Sequence, residues 1–331
     1  MRLPGVKTAK KYSRWLRARV LGGALILGYH RISAEHDDIY QVCVSPENFA
    51  RQMEALREYA QPISLSKLVQ CLKENVLPPK SVAVTFDDGY ADNLYAAKPL
   101  LEKYEIPATV FICTGSMGKE FWWDELERLV LSSRSDLRAL DLPVGKAQFK
   151  WHPPLVNSET DNLEVHRQFH RALYHFLLSL DVADQDHAMG FIRSWSEVSS
   201  PGISTPRAMS EEELLRFVDG GLIELGAHTR HHPMLPKLPL ERQREEIQSS
   251  KKDLEALLSK KIEGFSYPNG RATVESKRLV RESGFTYACT SLHDVVRPGS
   301  DVYELTRFWQ QDVDGERFVR GLNRWMSKKV D

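Results

Sequence analysis

The 331-residue chain predicts an α/β fold with a parallel sheet, and two features of the sequence carry that expectation. Short apolar runs recur along it: ALILGYH (24–30), SVAVTF (81–86), ATVFICT (108–114), LIELGAHT (222–229), GFSYP (264–268) and YACTS (287–291). Each reads as a strand buried on both faces. Amphipathic helical segments lie between several of them, at 46–59, 92–104, 239–259 and 274–283, and such alternation implies parallel strands in a sheet that is open or closed into a barrel.

The first run belongs to VLGGALILGY (20–29), which is too short to span a bilayer and continues into Tyr29-His30-Arg31 without a small-residue cleavage pattern. It reads as a buried strand. The helix at 46–59 opens on Ser45-Pro46, an N-cap followed by a proline where helices accept one. From about 116 to 210 the rhythm breaks into helical patterns (WWDELERLVLSS, EVHRQFHRALYHFLLSL, DHAMGFIRSW) and a Pro/Ser/Thr-rich exit, SSPGISTP, which predicts a mostly helical insertion. The expected organisation is a basic segment at 1–19 and one domain over 20–331 that carries this insertion.

Composition excludes more than it assigns. Lys plus Arg and Asp plus Glu number 45 each, so net charge gives no reason to expect a nucleic-acid partner. Residues 1–34 nevertheless hold eight Lys or Arg and no Asp or Glu. Within them Tyr12, Trp15, Leu16 and Val20 fall on one side of a helix, with Lys11, Arg14 and Arg17 on or near the other. That pattern suits the surface of an anionic membrane, or a helix packed on the barrel. The cysteines, Cys43, Cys71, Cys113 and Cys289, form no C-x-x-C pair, which argues against a zinc ribbon or disulfide scaffold and suits a reducing compartment. The expectation is a cytoplasmic protein whose residues 1–19 either meet a membrane surface or pack on the barrel.

In parallel βα architectures ligands bind beyond the carboxyl ends of the strands. The polar residues there are His30, the adjacent Asp87 and Asp88, His228 with His232 four residues on, and Ser266 to Gly270. Two histidines at that spacing and one carboxylate form a set that leaves coordination positions open on a catalytic divalent ion. With one aspartate on the cation, the other can stay ionised beside it and act as a base. Arg230 and His231 are expected to point outward without a role. Tyr29, Tyr90, Trp122, Trp123, Tyr267 and Trp309 could stack on sugars or sit in the core.

TFDDG (85–89), HTRHH (228–232) and YPNG (267–270), in that order, resemble the first three motifs of the polysaccharide deacetylases, the NodB-homology domain of carbohydrate esterase family 4. The resemblance covers roughly 24–115 and 220–310. It implies a deformed (β/α) barrel that removes N-acetyl groups from amino sugars with a divalent metal, usually Zn2+. Residue by residue it makes Asp87 the base and Asp88, His228 and His232 the metal ligands. The family's third motif often begins with an arginine that orients the catalytic aspartate; here that position is Ser266, so another cation must serve or the metal alone tunes Asp87. ILGYHRIS (26–33) resembles the circularly permuted poly-β-1,6-N-acetylglucosamine deacetylase branch, which implies that His30, rather than the late His293, is the general acid. The oxyanion is expected near the backbone N–H of Asn269, with Tyr267 and Gly270 beside it, since Pro268 has no N–H. The implied partner is an N-acetylhexosamine in a polysaccharide, glycolipid or lipid-linked glycan. The rival readings are a non-catalytic carbohydrate-binding protein and a glycoside hydrolase, whose two carboxyls must flank the bond at ~5–9.5 Å, a poor match to adjacent aspartates.

Overall fold

The computed structural model describes residues 23–34, 38–131, 137–154, 159–196 and 206–326. The basic segment 1–19, and with it the membrane-facing or barrel-packed helix expected there, lies outside the described residues. Among the described residues no helix is long and apolar enough to cross a membrane.

Seven strands build the main sheet: β1 (Leu25–Tyr29), β2 (Ser81–Phe86), β3 (Ala108–Ile112), β4 (Ile223–Ala227), β5 (Gly264–Ser266), β6 (Tyr287–Cys289) and β7 (Phe308–Trp309). Their spatial order is β6-β5-β4-β3-β2-β1-β7, all ladders are parallel, and a two-residue strand, Gln61–Pro62, adds to β2. The last strand thus lies beside the first, and Leu305, just before it, bridges to Cys289 of β6, so the sheet curls into a half-barrel. All six apolar runs form strands. The seventh, two residues long, is too short to leave a periodic signal.

The helices carry their own start signals. Ser45 accepts from the Asn48 N–H ahead of helix Pro46–Tyr59, Thr273 accepts from Ser276 ahead of Val274–Glu282, and Leu240–Leu258 matches its expected span. The segment expected as one helix over 92–104 opens instead as a π turn, Asn93–Ala97, and becomes α-helical over Lys98–Lys103, with Pro99 in its first turn. Helices Leu65–Glu74, Glu211–Val218 and Gly315–Met326 are additional to the expectation.

The described residues divide into two compact units, one carrying the chain up to 117 and from 209, the other 118–208. The second unit holds helices Trp122–Leu131, Glu159–Leu177 and Val182–Ser196, as its composition suggests. It also holds an antiparallel hairpin, Leu140–Val144 with Ala147–Trp151, whose first strand alternates buried Leu140, Leu142 and Val144 with exposed Asp141 and Pro143. Pro143 is accommodated because the edge of a two-stranded ribbon tolerates a proline.

Strand pleating decides what reaches the site. Successive residues point to opposite faces, so Leu25, Leu27 and Tyr29, like Val82, Val84 and Phe86, join the core that packs Phe49, Met53 and Leu56 of the Pro46–Tyr59 helix. Ile26 and Ala83 belong to the other cluster, with Phe111, Tyr287 and Leu65. On that second face the register sets Trp309 beside Gly28, Gly28 beside Thr85, and Thr85 beside Thr109. Continued past the strand ends, the same alternation assigns His30, Asp87 and His228 to this face. Gly226 marks how closely the face is packed, because a Cβ there would lie 2.4 Å from Phe111 Cδ1 and 3.0 Å from the Gly264 carbonyl oxygen. Gly226→Val is expected to lower stability by about 1–3 kcal/mol through overpacking; an unchanged urea midpoint would contradict this packing.

Candidate active site

The site lies at the carboxyl ends of β1, β2, β4, β5 and β7 and is organised around a buried ion pair. Asp87 follows β2, and Arg307 precedes β7, fully buried. Both guanidinium ends grip the carboxylate, Nη1 to Oδ1 and Nη2 to Oδ2, each at 2.7 Å. The remaining donors are used as well: Nε to the Thr290 carbonyl at 3.0 Å, Nη1 to Thr85 Oγ1 at 3.3 Å and Nη2 to Ser266 Oγ at 2.9 Å. All five N–H groups of the arginine therefore have acceptors, the condition under which a buried guanidinium is tolerable. Ser266 Oγ in turn donates to Asp87 Oδ2 at 3.1 Å. Burial alone would raise the Asp87 carboxyl, but Arg307 and His228 outweigh it and hold the group ionised well below the usual carboxylate range.

Asp88, the next residue, reaches the neighbouring histidines because the backbone turns at that point: Asp88 has φ +70° and Gly89 φ +82°. Its Oδ1 lies 3.6 Å from His228 Nε2 and 3.6 Å from His232 Nε2. Among the described residues this is the only group of three potential ligands whose donor atoms lie together, all within 4.8 Å. Ligands at ~2.0–2.2 Å from one ion are themselves ~3–3.6 Å apart, so little closure is needed. The Nδ1 of His228 sits 2.8 Å from the Ser266 carbonyl, which assigns the proton to Nδ1 and turns the Nε2 lone pair toward Asp88. Burial lowers the pKa of both His228 and His232, leaving neutral imidazoles, the form that binds metal. The donor set fits a divalent cation.

His228 and His232 are brought together by a strained loop, with Thr229 at φ +62° and His232 at φ +57°. Thr229 Oγ1 accepts from the His232 N–H at 3.1 Å, closing the turn. Glu246, buried on the Leu240–Leu258 helix, accepts from the backbone N–H groups of Arg230 (3.0 Å) and His231 (2.9 Å), and its other oxygen lies 2.7 Å from His231 Nδ1. Arg230 and His231 do point outward, as expected, but His231 helps anchor the loop.

A family model described as polysaccharide deacetylase matches residues 74–134 and 168–288, more than half of the chain. The chain belongs to the polysaccharide deacetylase family. A poly-beta-1,6-N-acetyl-D-glucosamine N-deacetylase of Staphylococcus aureus is 30% identical over 142 residues, a match spanning 39% of this chain and 47%, less than half, of that relative. Among solved structures, the Streptococcus pyogenes deacetylase PplD aligns over 92% of this chain and 99% of its own with a TM-score of 0.60 at 18% identity. IcaB from Ammonifex degensii aligns over 93% and 98% with a TM-score of 0.59 at 20% identity. These structures share the fold, a curled parallel sheet with outer helices.

Against the deacetylase expectations, the structure gathers Asp87, Asp88, His228 and His232 and adds His30. The His30 ring, partly exposed, stacks on Trp309 with centroids 4.5 Å apart. Burial pushes its pKa down to about 4, Asp87 pulls it upward, and Arg307 and His228 lower it further. His293 is instead exposed, with its ring 5.7 Å from that of Phe308. Two expectations at the third motif are corrected. Tyr267 is fully buried and its hydroxyl donates to the Tyr303 carbonyl, because it follows the inward Ser266 and the pleat turns it into the core. The Gly270 N–H is taken by the Tyr267 carbonyl at 2.8 Å and so offers no free donor. Asn269 stands between them at φ +56°, with its side-chain Nδ2 buried and lacking an acceptor among the described residues. Of the other aromatics, Tyr29 and Tyr90 are core, while Trp122 stacks on Tyr174 and Trp123 on Phe121 within the second unit.

Sequence reasoning missed Arg307, Glu246 and the Trp309–His30 stack. Arg307 had a signal: an arginine inside LTRFW, an apolar run, needs a buried acid if the run is a strand. Arg307→Met is expected to cost about 3–5 kcal/mol by leaving Asp87 buried and unpaired. With its folded pKa depressed, Asp87 stabilises the fold above about pH 4, and that contribution fades as pH falls through the depressed value. The variant should therefore lose most stability above about pH 4 and converge on wild type as pH falls, flattening the acid limb; a stability difference independent of pH would contradict the pairing. If the His/His/Asp set takes a divalent cation, Glu246→Ala is expected to weaken that binding about tenfold, read as the cation-induced rise in melting temperature of the metal-free protein, and an unaltered titration would remove Glu246 from the loop's support.

Proposed function

We propose that the chain is a metal-dependent deacetylase that hydrolyses the acetamide of an N-acetylhexosamine within a glycan, with a polymer of N-acetylglucosamine as the best-supported substrate. The observation that carries this reading is the pairing of an Asp87 held ionised by Arg307 with a His/His/Asp donor set 3.8 Å away at His228 Nε2. The named activity of the Staphylococcus aureus relative supports the substrate class.

An amide is a weak electrophile, so its hydrolysis needs an activated water, stabilisation of the tetrahedral oxyanion and a proton for the leaving amine. Asp88, His228 and His232 would hold a divalent cation, Zn2+ by this donor set, which when bound would supply Lewis acidity toward the acetyl carbonyl and toward water. Asp87 accepts the proton from water; Arg307 keeps it ionised for that purpose and fixes its plane. His30 is the proton donor to the amine. It is neutral at rest, so the proton that Asp87 takes from water must charge it before passing to the amine, and the Asp87 carboxylate is the neighbour that favours that charge. In the turn after β5, the Asn269 N–H is the candidate oxyanion donor, since Pro268 has none and that of Gly270 is bonded.

The test is acetate release from β-1,6-linked N-acetylglucosamine oligomers by the metal-free and the Zn2+-reconstituted protein. Asp87→Asn should keep the metal and lose about 10²–10⁴ in kcat; His30→Ala should lose rate with normal metal content, and His293→Ala should behave as wild type. His228→Ala should lose both metal and activity. Absence of acetate from any N-acetylated glycan, with metal bound, would sink the catalytic reading in favour of a non-catalytic binder.

A further inference from the structure

A polar turn that the chemistry above leaves unused is bonded directly to the proposed proton donor. Asp92 and Asn93 follow Asp87 and Asp88 by five residues, at the start of the π turn Asn93–Ala97. Asn93 is fully buried, and its side-chain nitrogen donates to the His30 carbonyl at 2.9 Å and to Asp92 Oδ1 at 3.0 Å. Both partners are acceptors, which assigns the nitrogen, rather than the oxygen, to that side of the amide. Asn93 Oδ1 is left buried with no partner among the described residues. Asp92 holds the two residues that follow His30: its Oδ1 accepts from the Ile32 N–H at 3.1 Å and its Oδ2 from Arg31 Nε at 3.0 Å. The Arg31 guanidinium lies 5.2 Å from the centre of the Tyr90 ring.

Burying an amide is costly unless its hydrogens are bonded, and an oxygen left without a donor adds to that cost. Packing gives no reason to keep such a group, because leucine has nearly the same shape. What the amide does is local: it bonds the main chain of His30 itself. The His30 ring is held separately, by its stack on Trp309. Ring and main chain are thus fixed by different parts of the chain, and the main-chain anchor belongs to the stretch, 87–93, that also carries the proposed base and one candidate metal ligand. We propose that Asn93, supported by Asp92, is a positioning residue for His30. It sets the proposed acid in place relative to Asp87, so that the amine nitrogen receives its proton as the C–N bond breaks and the bonding pair passes to nitrogen. The proposal rests on the deacetylase reading and deepens it at this one step.

The experiment compares acetate release from N-acetylglucosamine oligomers with hydrolysis of 4-nitrophenyl acetate by the Zn2+-reconstituted protein. An amine leaves only with a proton and nitrophenolate leaves without one, so the ratio of the two kcat values, amide over ester, isolates the acid. Asn93→Leu should lower that ratio about 10–10²-fold, with KM for the oligomers little changed, and Asp92→Asn should lower it about threefold or more. Coupling is read on the oligomers alone: in a His30→Ala background, Asn93→Leu should cause no further loss of kcat. An unchanged ratio, equal loss on both substrates, or a full additional loss in the His30→Ala background would each overturn the proposal. Should Asn93→Leu fail to fold, Asp92→Asn carries the same comparisons. Histidine-labelled NMR separates this from failure of the deacetylase reading, because stacking on the indole shifts the His30 ring signals, which His30→Ala identifies. Should no substrate release acetate, loss of that shift in Asn93→Leu with the His293 signals unmoved still supports the anchor, and identical spectra remove it.

Discussion

The arrangement of the site depends on one buried ion pair. Asp87 and Arg307 lie 220 positions apart in sequence, at the ends of strands separated by β1, and their bidentate contact ties the last strand to the middle of the sheet. Burying both ions carries a desolvation cost that geometry alone can offset, and the geometry is complete: every guanidinium N–H has an acceptor. Those acceptors, Thr85, Ser266 and Thr290, sit on or just after β2, β5 and β6, so one side chain holds four strand ends in register. Ser266 is shared, contributing its hydroxyl to the ion pair and its carbonyl to His228. The proposed proton acceptor and the candidate metal-binding imidazole are thus set by the same residue.

Two adjacent aspartates at a strand end would repel if both faced the same way. The chain avoids this by giving them different partners and different directions. Asp87 keeps the strand's alternation and meets Arg307, whereas Asp88 adopts a left-handed backbone and swings toward the histidines. Such a conformation costs a β-carbon-bearing residue roughly 1–2 kcal/mol. It recurs at Thr229, His232 and Asn269, all in the strand-end loops that supply or flank the site. The surroundings that hold these residues in place are specific: the Asp88 carbonyl accepts from Cys113, Gly89 bonds to Asp87 and Met209, and Glu246 clamps the histidine loop. Strain gathered at strand ends and offset by the scaffold is the pattern expected where function sets the backbone.

Most of this architecture was legible because it rests on local pattern. Buried parallel strands read as continuous apolar runs, and the start of the Pro46–Tyr59 helix announces itself through Ser45. The metal-ligand candidates were legible because Asp88, His228 and His232 combine a ligand chemistry with a strand-end position. What escaped was non-local. A serine where an arginine was expected leaves a cation missing, and nothing near Ser266 says that it arrives from a strand 41 positions later. Glu246 escaped for the same reason, as one acid among several on a charged helix, distinguished only by the loop it faces. Tyr267 failed in the opposite sense: proximity in sequence to the site suggested a contact, and strand parity sent the ring into the core.

Strand parity also explains why so short a strand as β7 matters. Its register against β1 consists of two pairs, Leu27 with Phe308 and Gly28 with Trp309. Phe308 turns to the core and stacks on Trp325 at 4.5 Å, while Arg307 and Trp309, on either side of it, both turn inward. The Arg307 guanidinium carbon lies 4.5 Å from the Trp309 ring centre, so the two stack as a unit. Trp309 can lie flat there only because its partner is a glycine: a Cβ at Gly28 would come within 2.7 Å of the indole. The indole in turn carries His30. One residue pair therefore places the group that holds the proposed base and the ring that holds the proposed acid, and a slip of one position in β7 would turn both outward together.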